Sequence, residues 1–160
     1  MAIQVGDKIP NVTLKHISDG NLQEIQTGAL FEGKKVVLFS VPGAYTPTCS
    51  STHLPGFVRD AADIKKKGVA EIVCLSVNDP WVMKAWGEAH DATGKVMMLP
   101  DGNGEFTKAL GLEQDLSGAQ LSVRGKRFLL IAENGVVKHL AIEDGKGVNV
   151  SGSEACQVNL

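Results

Sequence analysis

Residues Pro42-Gly43-Ala44-Tyr45-Thr46-Pro47-Thr48-Cys49 carry the chemistry that this sequence offers most plainly. The apolar run Val36-Val37-Leu38-Phe39 leads into them and a long amphipathic segment follows. Cys49 is therefore expected where a buried strand ends and a helix begins. The unpaired N–H groups and the macrodipole at a helix N-terminus favour an anion, and the anionic thiolate is the nucleophilic form of cysteine. Thr46, three residues earlier, brings a hydroxyl that can both accept and donate a hydrogen bond.

The elements that must hold these residues can be read along the chain. Val36 to Phe39 is a short continuous apolar run of the buried-strand type. From about Cys49 to Lys67, Leu54, Phe57, Val58, Ala61, Ala62 and Ile64 recur at helical spacing. Pro55 cannot donate to the Ser51 carbonyl, so a kink is expected near Leu54-Pro55-Gly56. Gly68 is the expected stop. Ala70 to Val77 is the next buried strand. Asp79 then serves as N-cap and Pro80 as first residue of a helix running to about His90. Val96 to Leu99 is a third strand, Pro100-Asp101-Gly102 a turn, and Phe106 to Leu110 a short helix. Arg127 to Ala132 and Val136 to Ile142 form a hairpin across Asn134-Gly135. Residues 1 to 30 read as an irregular or short-stranded entry with a turn at Asp19-Gly20-Asn21, and the last ten residues as a weak helix. Strands alternating with helices, followed by a hairpin, indicate an α/β fold with parallel and antiparallel parts in one sheet.

Composition narrows the function classes. The 160 residues suit one domain, taken as 1–160, and 43% hydrophobic with 21% charged residues is ordinary for a globular chain. The net charge of -2 and the lone basic triplet Lys65-Lys66-Lys67, read as a solvated helix end, give no reason to expect nucleic-acid binding. No apolar run would span a bilayer and no secretory signal is visible, so no membrane association is expected. Cys49, Cys74 and Cys156 are odd in number and far apart, unlike a secreted disulfide framework, and point to a reducing compartment, most simply the cytoplasm. Cysteine and histidine show no metal-ligand spacing, so neither metal nor other cofactor is expected.

At Pro42-x-x-x-Thr46-x-x-Cys49 the chain resembles the type II (atypical, plant- and bacterial-like) peroxiredoxins. The resemblance covers residues 2 to 150 through six blocks in order: Val41 to Ser50, His53-Leu54-Pro55-Gly56-Phe57, Cys74 to Pro80, Lys84-Ala85-Trp86, Leu110-Gly111-Leu112 and Lys126-Arg127-Phe128. It implies a thioredoxin-like fold, a central mixed β-sheet flanked by helices. It also implies thiol-dependent reduction of hydrogen peroxide and organic hydroperoxides through a sulfenic acid on Cys49.

By the same resemblance Pro42, Thr46, Cys49 and Arg127 form the catalytic set. Thr46 would bond peroxide and sulfur, and Arg127 would hold thiolate and peroxide together. Pro42 would shield the sulfur from water, and backbone N–H groups near Thr48 and Cys49 would add donors. Arg124 is the alternative to Arg127; the Lys-Arg-Phe context before an apolar strand favours Arg127. Cys74 has the spacing from Cys49 seen in plant-type members, and is a candidate resolving thiol or a buried core residue. Cys156, absent from the plant pattern, is a second candidate whose tail position suggests mobility. If neither resolves, glutathione or glutaredoxin must reduce the sulfenic acid directly; thioredoxin is the other reductant the family uses. His53 invites a Cys–His catalytic reading, but is read as facing the pocket wall or a neighbouring loop. Tyr45 and Trp81 replace family phenylalanines in loops that line a dimer interface, so a homodimer is expected; Trp86 reads as core. A peroxide-responsive sensor or binding protein, oxidised stoichiometrically at Cys49, is the alternative function. Cys49-Ser50-Ser51-Thr52 lacks the second cysteine of a disulfide reductase.

Overall fold

The structure, a computed structural model, describes residues 1–145 and 147–160. Its centre is a five-stranded sheet of β3 (Lys35–Ser40), β4 (Glu71–Ser76), β5 (Met97–Pro100), β8 (Phe128–Glu133) and β9 (Val136–Ile142), in the order β5-β4-β3-β8-β9. β3, β4 and β5 run parallel, while β8 is antiparallel to both β3 and β9. The sheet is mixed, as expected. Because alternate side chains point to opposite faces, it carries two cores. Val37, Phe39, Ile72, Cys74, Leu129 and Ile131 face one way, against α2 (Leu54–Lys65), α3 (Pro80–Ala89) and Cys156 of α5 (Ser153–Val158). Val36, Leu38, Val73, Leu75, Phe128 and Leu130 face the other, against α1 (Thr27–Phe31) and α4 (Glu105–Leu110).

Local signals explain the element ends. Asp79 caps α3, its carboxylate accepting from the Val82 N–H at 2.9 Å, with Pro80 following it. Asn134 and Gly135 both take positive φ, 49° and 74°, as the tight β8–β9 turn requires. The short-stranded reading of the entry segment and its turn at Asp19-Gly20-Asn21 hold, while a second pair lies where no strand is expected. The entry segment is a regular hairpin of β1 (Thr13–Ser18) and β2 (Asn21–Gln26). The polar stretch after α4 pairs β6 (Glu113–Asp115) with β7 (Val123–Gly125).

The helix that carries Cys49 is irregular next to the expected kink. It widens into a π-helical turn over Cys49–His53 before α2 begins. Pro55 has no N–H, and the Leu54 N–H reaches back five residues to the Cys49 carbonyl. Arg127 also sits one residue before β8 rather than inside it.

The link between this core and the residues above it is Phe39. Its ring stacks on Phe57 of α2 at 4.1 Å and 5°, and lies 4.8 Å from the His53 ring. Replacing Phe39 by alanine is expected to destabilise the chain by about 3–5 kcal/mol, read from urea denaturation monitored by circular dichroism; a loss below about 1 kcal/mol would mean the helix is held elsewhere.

Candidate active site

The register of β3 against β8 brings the site together. Ser40 is paired with Phe128, so Val41-Pro42 leaves the sheet beside Arg127. The loop that follows is pinned on several sides. Asn78, just after β4, accepts from the Ala44 N–H at 2.9 Å. Arg124 donates to the Pro42 carbonyl at 3.2 Å and to the Leu121 carbonyl at 2.8 Å. A side chain at Gly43 would come within 2.9 Å of the Arg124 guanidinium and 3.1 Å of the Thr46 methyl, so a larger residue would press on two side chains that shape this loop. Tyr45 takes φ 65°, a left-handed conformation that turns the chain from strand to helix.

Helical hydrogen bonding starts at Ser50, whose N–H donates to the Thr46 carbonyl at 3.0 Å. The first-turn N–H groups of Thr48 and Cys49 thus precede it, as helix ends dictate. The Thr46 hydroxyl donates to the Gly43 carbonyl at 2.6 Å. Its proton is committed there, so its lone pairs remain to accept; the expected donation to sulfur or peroxide is not what the geometry presents.

Cys49 is fully buried. Arg127 Nη2 donates to its Sγ at 3.1 Å. Arg127, only 8% exposed, reaches the sulfur, while Arg124 holds the Pro42 loop. Of the two arginines weighed from sequence, Arg127 is the one at the thiol. Pro42, Thr48 and Arg127 line a cleft of about 580 Å³ that also touches Leu116, Ile142 and Glu143.

His53 is neither a base for the thiol nor mere wall. Its Nδ1 meets Arg127 Nη1 at 2.7 Å and its Nε2 meets the Ser151 carbonyl at 2.8 Å. A guanidinium can only donate and a carbonyl only accept, so the ring proton belongs on Nε2. Burial first, then the Arg127 charge, push its pKa down to about 4 despite the opposing Ser151 bond and Glu143 charge. The imidazole is neutral. Sequence reasoning missed this role because both partners lie far along the chain, and it missed Ser151 and Glu143 for the same reason. Glu143 accepts from the N–H groups of Asn149, Val150 and Ser151 and from the Ser151 hydroxyl.

The two other cysteines lie on the Cys49 side of the sheet but deep in the core. Cys74 is on β4, opposite Phe39, fully buried, and burial and the nearby Cys49 push its thiol well above the ordinary value. Cys156 corrects an expectation: it is not on a free tail but fully buried in α5, where burial pushes it up to about 12. Among the described residues no cysteine is in a disulfide, and no group of three or more His, Cys, Asp or Glu is placed to hold a metal. Trp86 is buried, its Nε1 donating to Ser50 Oγ at 3.0 Å. Tyr45 and Trp81, by contrast, are 55% and 62% exposed.

The Redoxin family profile matches residues 4–156. Peroxiredoxin-2C of Oryza sativa subsp. japonica is 48% identical over 95% of this chain and 94% of its own length. Peroxiredoxin-2D of Arabidopsis thaliana is 45% identical over 95% and 94%. The crystal structure of reduced Prx3 from Vibrio vulnificus in complex with hydrogen peroxide superposes with a TM-score of 0.93 at 47% identity, covering 98% of each chain.

The depressed His53 pKa has a consequence for stability. Between pH 6.5 and about 4 the unfolded chain binds a proton at His53 that the folded chain refuses, so stability conferred by the neutral ring is full above 6.5 and lost as pH falls toward 4. The difference in unfolding free energy between pH 7 and pH 4 is expected to be larger in the wild type than in His53→Gln by up to about 3 kcal/mol, measured by urea denaturation; equal differences would show that His53 titrates normally.

Proposed function

This chain belongs to the Redoxin family and is a peroxiredoxin of type II, a thiol-dependent peroxidase of thioredoxin-like fold, and on that premise we propose that Cys49 is its reacting sulfur and that Pro42, Thr46 and Arg127 complete the catalytic set. The observation that carries this reading is the 3.1 Å bond from a buried guanidinium to the Cys49 sulfur, one turn beyond Thr46. The Cys49 thiolate attacks the terminal oxygen of a hydroperoxide ROOH along the O–O axis. A sulfur–oxygen bond forms and the O–O bond breaks, its electron pair leaving on RO⁻. RO⁻ takes up a proton to become ROH, or water from hydrogen peroxide. Sulfur is oxidised by two electrons to sulfenic acid and the peroxide is reduced by two.

Each residue has a part in that step. Arg127 donates toward sulfur and incoming oxygen, countering charge as it moves between them. Thr46, its proton given to Gly43, accepts the peroxide O–H and so aims the other oxygen's bond. The N–H groups of the first helical turn meet the developing oxyanion. Pro42, held by Arg124, walls the sulfur from water. Hydrogen peroxide is supported as a substrate by its presence in the Vibrio vulnificus Prx3 crystal, and the cleft with Leu116 and Ile142 suits small organic hydroperoxides as well.

For the return half-reaction we propose an external thiol, glutathione or glutaredoxin, rather than an internal disulfide. Cys74 and Cys156 are both fully buried with thiols pushed up by burial, which disfavours their thiolates as attacking groups. Three unpaired thiols suit a reducing compartment, and we place the chain in the cytoplasm on that ground. Tyr45 and Trp81, exposed beside the site's two loops, are proposed as anchors of a homodimer.

Stopped-flow oxidation of the reduced protein by hydrogen peroxide, followed by intrinsic tryptophan fluorescence, is expected to be several orders of magnitude faster than a free thiol and to vanish in Cys49→Ser. A free-thiol rate, or one unchanged by Cys49→Ser, would remove Cys49 from the mechanism. Sedimentation equilibrium is expected to find a dimer for the wild type and a monomer for Trp81→Glu; a monomeric wild type overturns the assembly.

A further inference from the structure

Glu143 stands outside the residues assigned above, yet it is tied to Arg127 from two directions. Its backbone N–H donates to the Arg127 carbonyl at 2.9 Å. Its Oε2 accepts from the N–H groups of Asn149, Val150 and Ser151, each at 2.8 Å, and from the Ser151 hydroxyl at 2.7 Å. The carbonyl of that same Ser151 accepts from His53 Nε2 at 2.8 Å, His53 Nδ1 accepts from Arg127 Nη1 at 2.7 Å, and Arg127 Nη2 donates to the Cys49 sulfur at 3.1 Å. The connections close a ring: Glu143 fixes the Arg127 main chain directly and its guanidinium through two intermediaries.

A neutral imidazole has two tautomers, and only the Nε2–H form leaves Nδ1 bare to accept from Arg127. The other form would set N–H against N–H, and the guanidinium would have to turn from the sulfur. What chooses between them is an acceptor held opposite Nε2, and the Ser151 carbonyl is that acceptor. Three consecutive N–H groups converging on one carboxylate oxygen fix the peptide planes that lead into Ser151, and the bond from its hydroxyl ties its side chain to the same oxygen, so the residue whose carbonyl faces Nε2 is held on both counts. Partial burial works against the Glu143 charge, but the bonds from Ser151, Val150 and Asn149 outweigh it and hold the carboxyl below its ordinary range, so the anchor stays ionised near neutrality.

We propose that Glu143 is a positioning residue for peroxide reduction: by fixing the Ser151 carbonyl it selects the His53 tautomer that aims Arg127 at the Cys49 sulfur. The inference rests on the reading that Cys49 reacts and that Arg127 assists it.

The test pairs two readouts on the full-length protein. Ring 15N NMR of 15N-histidine-labelled wild type is expected to show His53 with a protonated Nε2 and a bare Nδ1. Glu143→Ala is expected to mix the tautomers and to slow Cys49 oxidation by hydrogen peroxide by about tenfold or more. Glu143→Gln, whose amide oxygen keeps an acceptor in place, recovers the tautomer and most of the rate. In a His53→Gln background, Glu143→Ala costs no further rate, because the route it acts through is gone. A purely structural role would lower stability while leaving the tautomer unchanged and would add its loss to that of His53→Gln; either result overturns the proposal. Should Glu143→Ala not fold, Glu143→Asp, which draws the oxygen back by one methylene, carries the same two readouts. Arg127→Ala separates the two levels: a rate that survives it sinks the assignment of Arg127, whereas a rate lost there but kept in Glu143→Ala sinks only this inference.

Discussion

The site is organised around a buried guanidinium. A guanidinium is a cation with fixed donors, and removing such a charge from water costs several kcal/mol unless its donors are matched. Among the described residues no carboxylate lies within ion-pair distance of it. Its donors go instead to the Cys49 sulfur and to a histidine ring that burial keeps neutral. That choice leaves sulfur as the anion-forming group in direct contact with the cation. A glutamate in the place of His53 would satisfy the guanidinium by itself and compete with the sulfur for its charge; a neutral acceptor holds its direction without doing so.

Everything else can be read as what it takes to keep that guanidinium facing that sulfur. The pairing of Ser40 with Phe128 fixes where the two chain segments meet. Asn78 and Arg124 fix the loop that carries Pro42 and Ala44. The π-helical turn, which follows from Pro55 having no N–H to give, widens the helix over Cys49–His53, and both side chains meet the same arginine. π-helical turns are rare and recur at functional sites; here the irregularity is local, because Phe39 and Phe57 pack the next turn onto the sheet.

Much of this was legible in the sequence, for identifiable reasons. Val36 to Phe39, Asp79-Pro80 and Asn134-Gly135 are short-range signals whose structural meaning depends on immediate neighbours, and each is found where it was read. Cys49 and Arg127 were legible because the motif blocks flanking them are in register with a known family. What escaped is long-range or unpatterned. β6 and β7 are three-residue polar strands with no alternation to detect. Position in the tail suggested a mobile Cys156, but residues that face one another across α2 and α5 bury it. The hydroxyl of Thr46 was assigned to peroxide and sulfur, whereas a carbonyl three residues back takes its proton. His53 was ambiguous because its partners are 74 and 98 positions away, and no local rule links a histidine to them.

The same contacts set the terms for recycling. The C-terminal segment touches one face of the cysteine-bearing helix at regular intervals: Ser151 at His53, Ser153 at Asp60, and Gln157 at Lys67 of the turn that ends it. These helix positions are seven residues apart, two turns each, so the segment lies along the helix as a strap. Cys49, one turn upstream of His53, is fully buried, so under the proposed function the first turn must open before a thiol from outside reaches the sulfur. That turn is the π-helical one over Cys49–His53, and it lies upstream of the contacts that tie α2 to the C-terminal segment. The strap holds α2 from His53 onward, and upstream of His53 the helix is tied chiefly through Trp86 to Ser50 and Arg127 to Cys49. Access to the sulfur from outside is therefore governed by those two ties, while the C-terminal segment covers the helix from His53 onward.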